Sequence, residues 1–90
     1  MTTHIVKRHG HKQEFDSRKI YGAVYSSCLN AHLTKIEAEK IAEALQMHME
    51  KWVKDKREIT SQEIFEEVAT AMRSFHEDAA FLYATHRDIA

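Results

Sequence analysis

The sequence predicts an α+β domain that is mostly α, with a small N-terminal β-hairpin or three-stranded sheet capping a four-helix bundle. Three observations predict it. Proline is absent from the 90 residues and glycine occurs only at Gly10 and Gly22, a composition that favours long helices over a strand-rich fold. Thr34 to Glu37 and Thr60 to Glu63 each carry the Thr-x-x-Glu pattern of a helix N-terminus. The first fifteen residues read instead as a short apolar strand ending in Lys7-Arg8, a turn at Gly10 and a return strand.

After the hairpin, Asp16 or Ser17 can cap a first helix in which Ile20, Ala23, Val24, Ser27 and Cys28 share one face, and this helix is expected to stop near Leu29-Asn30. Thr34 and Glu37 then form a capping box with Leu33 placed to staple against Ala38. The second helix runs to about Val53, burying Ala38, Ile41, Ala42, Leu45, Met49 and Trp52, with Glu37, Lys40, Glu43 and Lys51 outside. Met47 and Met49 both read as core filler. A charged stretch from Lys54 to Glu58 leads to a second capping box, with Ile59 and Ile64 as its staple, and a third helix from near Ser61. Its stripe is Ile64, Val68, Ala71 and Phe75, widened by Phe65 and Met72. After His76 a last helix carries Phe81, Leu82, Ala84, Thr85 and Ile89.

A two-stranded hairpin alone is marginal in water. It is expected to lie over the helices through Ile5, Phe15 and Ile59, with a third short strand at 57–59.

Ninety residues make one small domain, residues 1–90, which buries about 60–65% of its unfolded surface and leaves no room for a separate catalytic domain. No apolar run approaches the length of a membrane span and the N-terminus lacks the apolar core of a signal peptide, so a cytoplasmic protein without membrane partners is expected. The single cysteine, Cys28, sits on an apolar helical face and reads as a packing residue. His9 and His11 are the one close histidine pair with a geometric case for metal, but no third ligand is evident and no metal site is expected.

Charge is uneven along the chain. Residues 1 to 19 hold Lys7, Arg8, Lys12, Arg18 and Lys19 against Glu14 and Asp16, a balance of +3 within a net charge of −1, so the remainder carries −4. A basic end on an acidic body suits a localised anionic partner, whereas a long nucleic acid usually demands a broadly basic domain. DNA binding is therefore not expected. Lys7 and Arg8 at a strand end and Lys19 on the first turn of a helix can converge on a triphosphate, Arg by bidentate contact and Lys as a point charge. A solvent-facing Lys19 is the plain alternative, yet a cation near a helix N-terminus opposes the dipole, which favours a functional reason.

In order and spacing, Val6-Lys7-Arg8-His9-Gly10, then Gln13-Glu14-Phe15-Asp16-Ser17-Arg18-Lys19-Ile20, then Thr60-Ser61-Gln62-Glu63-Ile64 and finally Ala80-Phe81-Leu82-Tyr83-Ala84 with Arg87 resemble the ATP-cone. That family is the regulatory nucleotide-binding domain of ribonucleotide reductases and of a transcriptional repressor of their genes. The resemblance covers nearly the whole chain. It implies reversible binding of ATP or dATP, with Mg²⁺, under the hairpin and against the helices, without phosphate transfer.

The resemblance also implies a site. Val6, Lys7 and Arg8 belong to the hairpin, and Gln13, Glu14, Phe15, Asp16, Ser17, Arg18 and Lys19 form one wall. Asp16 at the cap can accept from base or sugar, or serve as an N-cap alone. Ser61 and Phe65 match positions near the sugar and base, where Phe65 can stack on adenine or belong to the core of the third helix. Departures from the family pattern fall at His9, where Asp is usual and the change makes the hairpin a candidate for pH sensitivity, and at Gln13, where Glu is usual. In reductases a basic residue often follows the last helix; that phosphate contact is either missing here or supplied by Arg87.

No Ser-His-Asp set, Walker A run or catalytic carboxylate pair can be assembled, so the chain reads as a sensor and not an enzyme. The expected output is control of self-association, as a homo-oligomer, or of a ribonucleotide reductase subunit. The alternatives are a nucleotide-responsive transcriptional or nucleic-acid-binding regulator, disfavoured by the absence of the cysteine pairs of a zinc ribbon, and a helical interaction module whose nucleotide site has decayed.

Overall fold

A computed structural model describes residues 3–6 and 12–86. The elements run β1 (His4–Val6), β2 (Lys12–Glu14), α1 (Ser17–Asn30), α2 (Lys35–Trp52), β3 (Glu58–Thr60), α3 (Ser61–Arg73) and α4 (Glu77–His86). The α+β expectation holds, with the third strand present and a four-helix body.

The sheet has the order β2-β1-β3. β1 pairs antiparallel with β2, Ile5 opposite Gln13, and parallel with β3, Ile5 opposite Ile59. A parallel pair needs a long crossover, and α1 and α2 supply it. Three-residue strands are held by more than their ladders: His4 N–H donates to the Arg57 carbonyl at 3.0 Å and Phe15 N–H to the Thr3 carbonyl at 2.9 Å. The buried Thr3 hydroxyl reaches the carbonyls of Val53 and Lys56 at 3.0 and 2.9 Å, tying the chain start to the α2–β3 connection. Across the top, Lys12 spans β1 to meet Glu58 at 2.7 Å.

Helix starts follow the local chemistry. Asp16 caps α1 by accepting from the Arg18 N–H, and complete capping boxes open α2 at Thr34 and Glu37 and α3 at Thr60 and Glu63. Leu33 packs against the core cluster that contains buried Ala38.

The core is built on α1 and α2. Ile20, Val24 and Cys28 of α1 face Ala38, Ala42, Leu45 and Met49 of α2. Val68 and Met72 of α3 and Ala79 and Ala80 of α4 close it from the other side. Burial pushes the Cys28 thiol pKa up, in keeping with a packing role. Ile59 is buried beneath the sheet, while Ile5 is half-buried and Phe15 packs on the helical core.

Some expected core positions lie elsewhere. Met47 is 59% exposed because it is two residues from the fully buried Met49, about 200° around the helix. Phe75 is 50% exposed because α3 ends at Arg73 and the helical period no longer carries it inward. Ala69 takes a buried place that the expected α3 stripe omitted. On α4 the buried residues are Ala79 and Ala80, which leaves Phe81 outside, and Ile89 lies outside the described residues. Ala23 shares the inner half of α1 but is exposed at its margin, where a cleft opens.

Candidate functional site

The cleft lies where the sheet, α1, α3 and α4 meet and encloses about 590 Å³. That volume falls within the range of small-molecule sites. Its sheet end is lined by Ile5, Gln13 and Phe15, and its α3–α4 wall by Ser61, Ile64, Phe65 and Tyr83. The floor is a stripe along α1 that includes Lys19, Ala23, Ser26 and Asn30. The cleft exists because that stripe is made of short side chains past Lys19; larger residues at Ala23 and Ser26 would fill it.

Gln13, Phe15, Asp16, Lys19, Ser61 and Phe65, drawn together from four segments, are the predicted site residues that line the cleft. Val6 is half-buried in β1 opposite Lys12 and Thr60 and is not part of the lining. Glu14 is exposed on β2 opposite His4. Ser17 turns to α2, donating to Glu50 at 2.7 Å and accepting from Gln46 at 3.0 Å. Arg18 lies along the surface with its side chain 85% exposed. Lys7, Arg8 and Arg87 lie outside the described residues, as do His9 and His11.

Asp16 serves as the N-cap and more. Its carboxylate takes the Arg18 backbone N–H at 3.0 Å and the Arg18 guanidinium at 3.0 and 3.1 Å. The Arg18 side-chain hydrogen bonds, then that backbone N–H, hold its pKa below the usual carboxylate value. The group stays ionised at the cleft wall while Arg18 offsets its charge.

The basic residues of the N-terminal segment divide accordingly. Among the described ones, Lys12 is paired with Glu58 and Arg18 with Asp16, while Lys19 has no ion-pair partner within 4.0 Å and opens on the cleft. Both α1 and α3 begin at the cavity, near Lys19 and at Ser61. Helix N-termini present backbone N–H groups and a partial positive charge, so this end of the cleft suits an anion. The walls beyond it are apolar and aromatic, with Phe65 stacked on Tyr83 at 5.5 Å between centroids. Phe65 is therefore half-buried and a cleft wall at once. Among the described residues no group of three His, Cys, Asp or Glu side chains is placed to hold a metal ion.

Ile5, Ile20, Ala23, Ser26, Ser27, Asn30, Ile64 and Tyr83 join the lining without having been expected there. On α1 the spacing from Lys19 to Ala23, Ser26 and Asn30 was readable as one face, but nothing in the spacing says that this face meets a cavity. No helix among the described residues is long and apolar enough to cross a membrane.

The family profile of the ATP cone domain matches residues 3–89. The chain is 30% identical over 81 residues to the transcriptional repressor NrdR of Synechococcus sp. (strain CC9311), an alignment covering 90% of this chain and 50% of the repressor. It thus spans about half the length of that curated relative. No solved structure matches it. With a family match that spans almost all of its length, this chain belongs to the ATP-cone family of nucleotide-binding regulatory domains.

Proposed function

We propose that the chain is a nucleotide sensor that binds ATP or dATP reversibly in the cleft, together with Mg²⁺, and reports occupancy through self-association or docking on a ribonucleotide reductase subunit. The observation that carries this reading is Lys19, without an ion-pair partner among the described residues, opening beside two helix starts on an apolar cleft walled by Phe65 and Tyr83. The apolar part suits a base and sugar, and the charged end suits phosphates.

Mg²⁺ bound through phosphates keeps several waters and needs one or two protein carboxylates rather than a cage. Asp16, ionised at the cleft wall, is the carboxylate available to it. The described lining contains no His or Cys and one carboxylate, a set that supports binding without catalysis. Occupancy alters assembly only if the assembly states differ in nucleotide affinity.

Calorimetry paired with size-exclusion and light scattering, with ATP, dATP or neither, tests the reading. Binding of either nucleotide with a change in mass, alone or with a reductase subunit, is the expected result. Failure of both to bind sinks it, and absence of any nucleotide-dependent thermal shift would instead favour a helical interaction module with a decayed site.

A second reading is a nucleotide-responsive transcriptional regulator, favoured by the similarity to a transcriptional repressor. The net charge of −1 disfavoured DNA, but that relative makes duplex DNA a partner to test. A gel shift with and without nucleotide separates the two readings.

A further inference from the structure

The outer face of α2 takes no part in the core or in the cleft. Ala38, Ala42, Leu45 and Met49 bury one side of this helix. The opposite side, about half a turn around, carries Ile36, Lys40, Glu43 and Met47 at i, i+4, i+7, i+11 spacing. Ile36 is 66% and Met47 59% exposed, although both are large and apolar. Lys40 and Glu43 lie exposed between them, and neither has an ion-pair partner within 4.0 Å among the described residues. No residue of α2 lines the cleft, so this face and the nucleotide site lie apart.

The order of these four residues is its own complement. Ile36 and Met47 are equally far from the point midway between Ile41 and Ala42, and so are Lys40 and Glu43. When two copies of the stripe run antiparallel about a two-fold axis at that point, Ile36 meets Met47 of the other copy at both ends. In the middle, Lys40 meets Glu43 of the other copy twice. A two-fold contact between identical surfaces requires this self-complementarity. Parallel copies in register would instead set Lys40 on Lys40 and Glu43 on Glu43, a juxtaposition of like charges that suppresses that alignment.

We infer that this face of α2 docks on the same face of a second copy of the chain, antiparallel, with Ile36 against Met47 and Lys40 against Glu43. The inference rests on the self-association part of the reading above, to which it gives a surface, and not on nucleotide binding. Ile36 and Met47 are eleven residues apart, so the contact runs for about 16 Å, roughly three turns. One helix face of that length lies at the low end of specific interfaces, below about 1,200 Å² in total. The pair is therefore expected to be reversible and to form at high chain concentration.

Sedimentation equilibrium of the whole chain over a concentration series, with ATP, dATP or neither, tests the face. The chain is expected to pass from monomer to dimer as concentration rises, and variants are compared in the condition that associates most. Lys40→Glu and Glu43→Lys each set like charges together twice at the centre and should weaken the dimer about tenfold or more, while the double variant Lys40→Glu with Glu43→Lys should restore it. Phe81→Ser, on the exposed side of α4, should leave it unchanged. Register is read by oxidative cross-linking. A mixture of Ile36→Cys and Met47→Cys chains should give a mixed disulfide dimer that neither forms alone, since like positions lie about 16 Å apart and bridged Cα atoms lie within about 7 Å. The native Cys28 is fully buried and stays out of this reaction. Association unchanged in both single charge variants, a double variant no better than the single ones, or a dimer lost in Phe81→Ser overturns this face while self-association stands. Cross-links between like chains alone overturn the antiparallel register. A chain that stays monomeric throughout and gives no mixed cross-link removes self-association as well, and leaves nucleotide binding to be decided by calorimetry.

Discussion

Phe65 of α3 and Tyr83 of α4 stack with ring centroids 5.5 Å apart and planes 17° from parallel, and both rings line the cleft. One contact closes the α3–α4 corner and builds a wall of the site. Aromatic pairs contribute about 0.5–1.5 kcal/mol beyond area burial, so a Phe65→Ala and Tyr83→Ala double-mutant cycle in urea should return a coupling of that size. ATP affinity should fall in both single variants. A coupling near zero would show that the rings touch without sharing energy.

Lys19 separates binding from stability. Its cation sits within the first turn of α1 with no ion-pair partner among the described residues, so removing it relieves an unfavourable dipole interaction. Lys19→Ala should leave the melting temperature unchanged or slightly raised. In the same variant, loss of a charged hydrogen bond to phosphate should weaken ATP by about 1.5–3 kcal/mol, read by calorimetry as roughly 10- to 150-fold. A variant that melts earlier and binds normally would mark Lys19 as structural.

What could be read from the sequence was what neighbouring residues decide. The two capping boxes and the Asp16 cap close within three residues, so α1, α2 and α3 begin where local chemistry puts them. Ser17 went unread as a contact to α2 because its partners Gln46 and Glu50 lie 29 and 33 residues away. The groove along α1 escaped notice for a related reason: short side chains at Ala23 and Ser26 become a cavity only once α3 and α4 stand opposite. Phe75 was misplaced because a 3.6-residue period was continued past the end of its helix. The pairing of Lys12 with Glu58 and Arg18 with Asp16 left less free charge at the N-terminal end than a count of basic residues implied.

Acid should loosen the α1–α2 corner. Glu37 accepts from the Thr34 backbone and hydroxyl, and these hydrogen bonds hold its pKa below the ordinary 4.5. A folded-state pKa below the unfolded one adds stability that is present above the unfolded value and is lost as pH falls through the folded value. The melting temperature should therefore hold from neutral pH to about pH 5 and decline below it, with Glu58 and Asp16, also lowered, contributing to the same decline. Glu37→Gln should show a shallower acid slope than the unaltered chain. Equal slopes would place the acid response elsewhere.

Gly22 lies in the middle of α1, exposed, and a Cβ added there meets nothing within 4 Å. Glycine in a helix interior costs about 0.5–1 kcal/mol relative to alanine through backbone entropy. Gly22→Ala should stabilise the domain by that amount, raising the melting temperature of a chain this size by several degrees, with ATP affinity unchanged because Gly22 does not line the cleft. A loss of affinity would show that α1 must bend to bind.

His32 calls for the opposite exchange. Among the described residues it is the non-glycine residue with positive φ, 69°, just after α1. Its N–H donates to the Leu29 carbonyl at 3.0 Å and the Leu33 N–H to the Cys28 carbonyl at 3.1 Å, the hydrogen-bond pair of a Schellman helix end. Glycine normally fills that position, because an L side chain there carries about 1–2 kcal/mol of steric cost. Glycine also gains more freedom in the unfolded chain, which offsets part of the benefit. His32→Gly should thus stabilise the domain by about 0.5–1 kcal/mol in urea denaturation. Because Leu33 follows directly and packs on the core, the α1–α2 turn must keep this geometry for α2 to start at Lys35. Destabilisation by His32→Gly would mean that the imidazole makes a contribution larger than the strain it imposes.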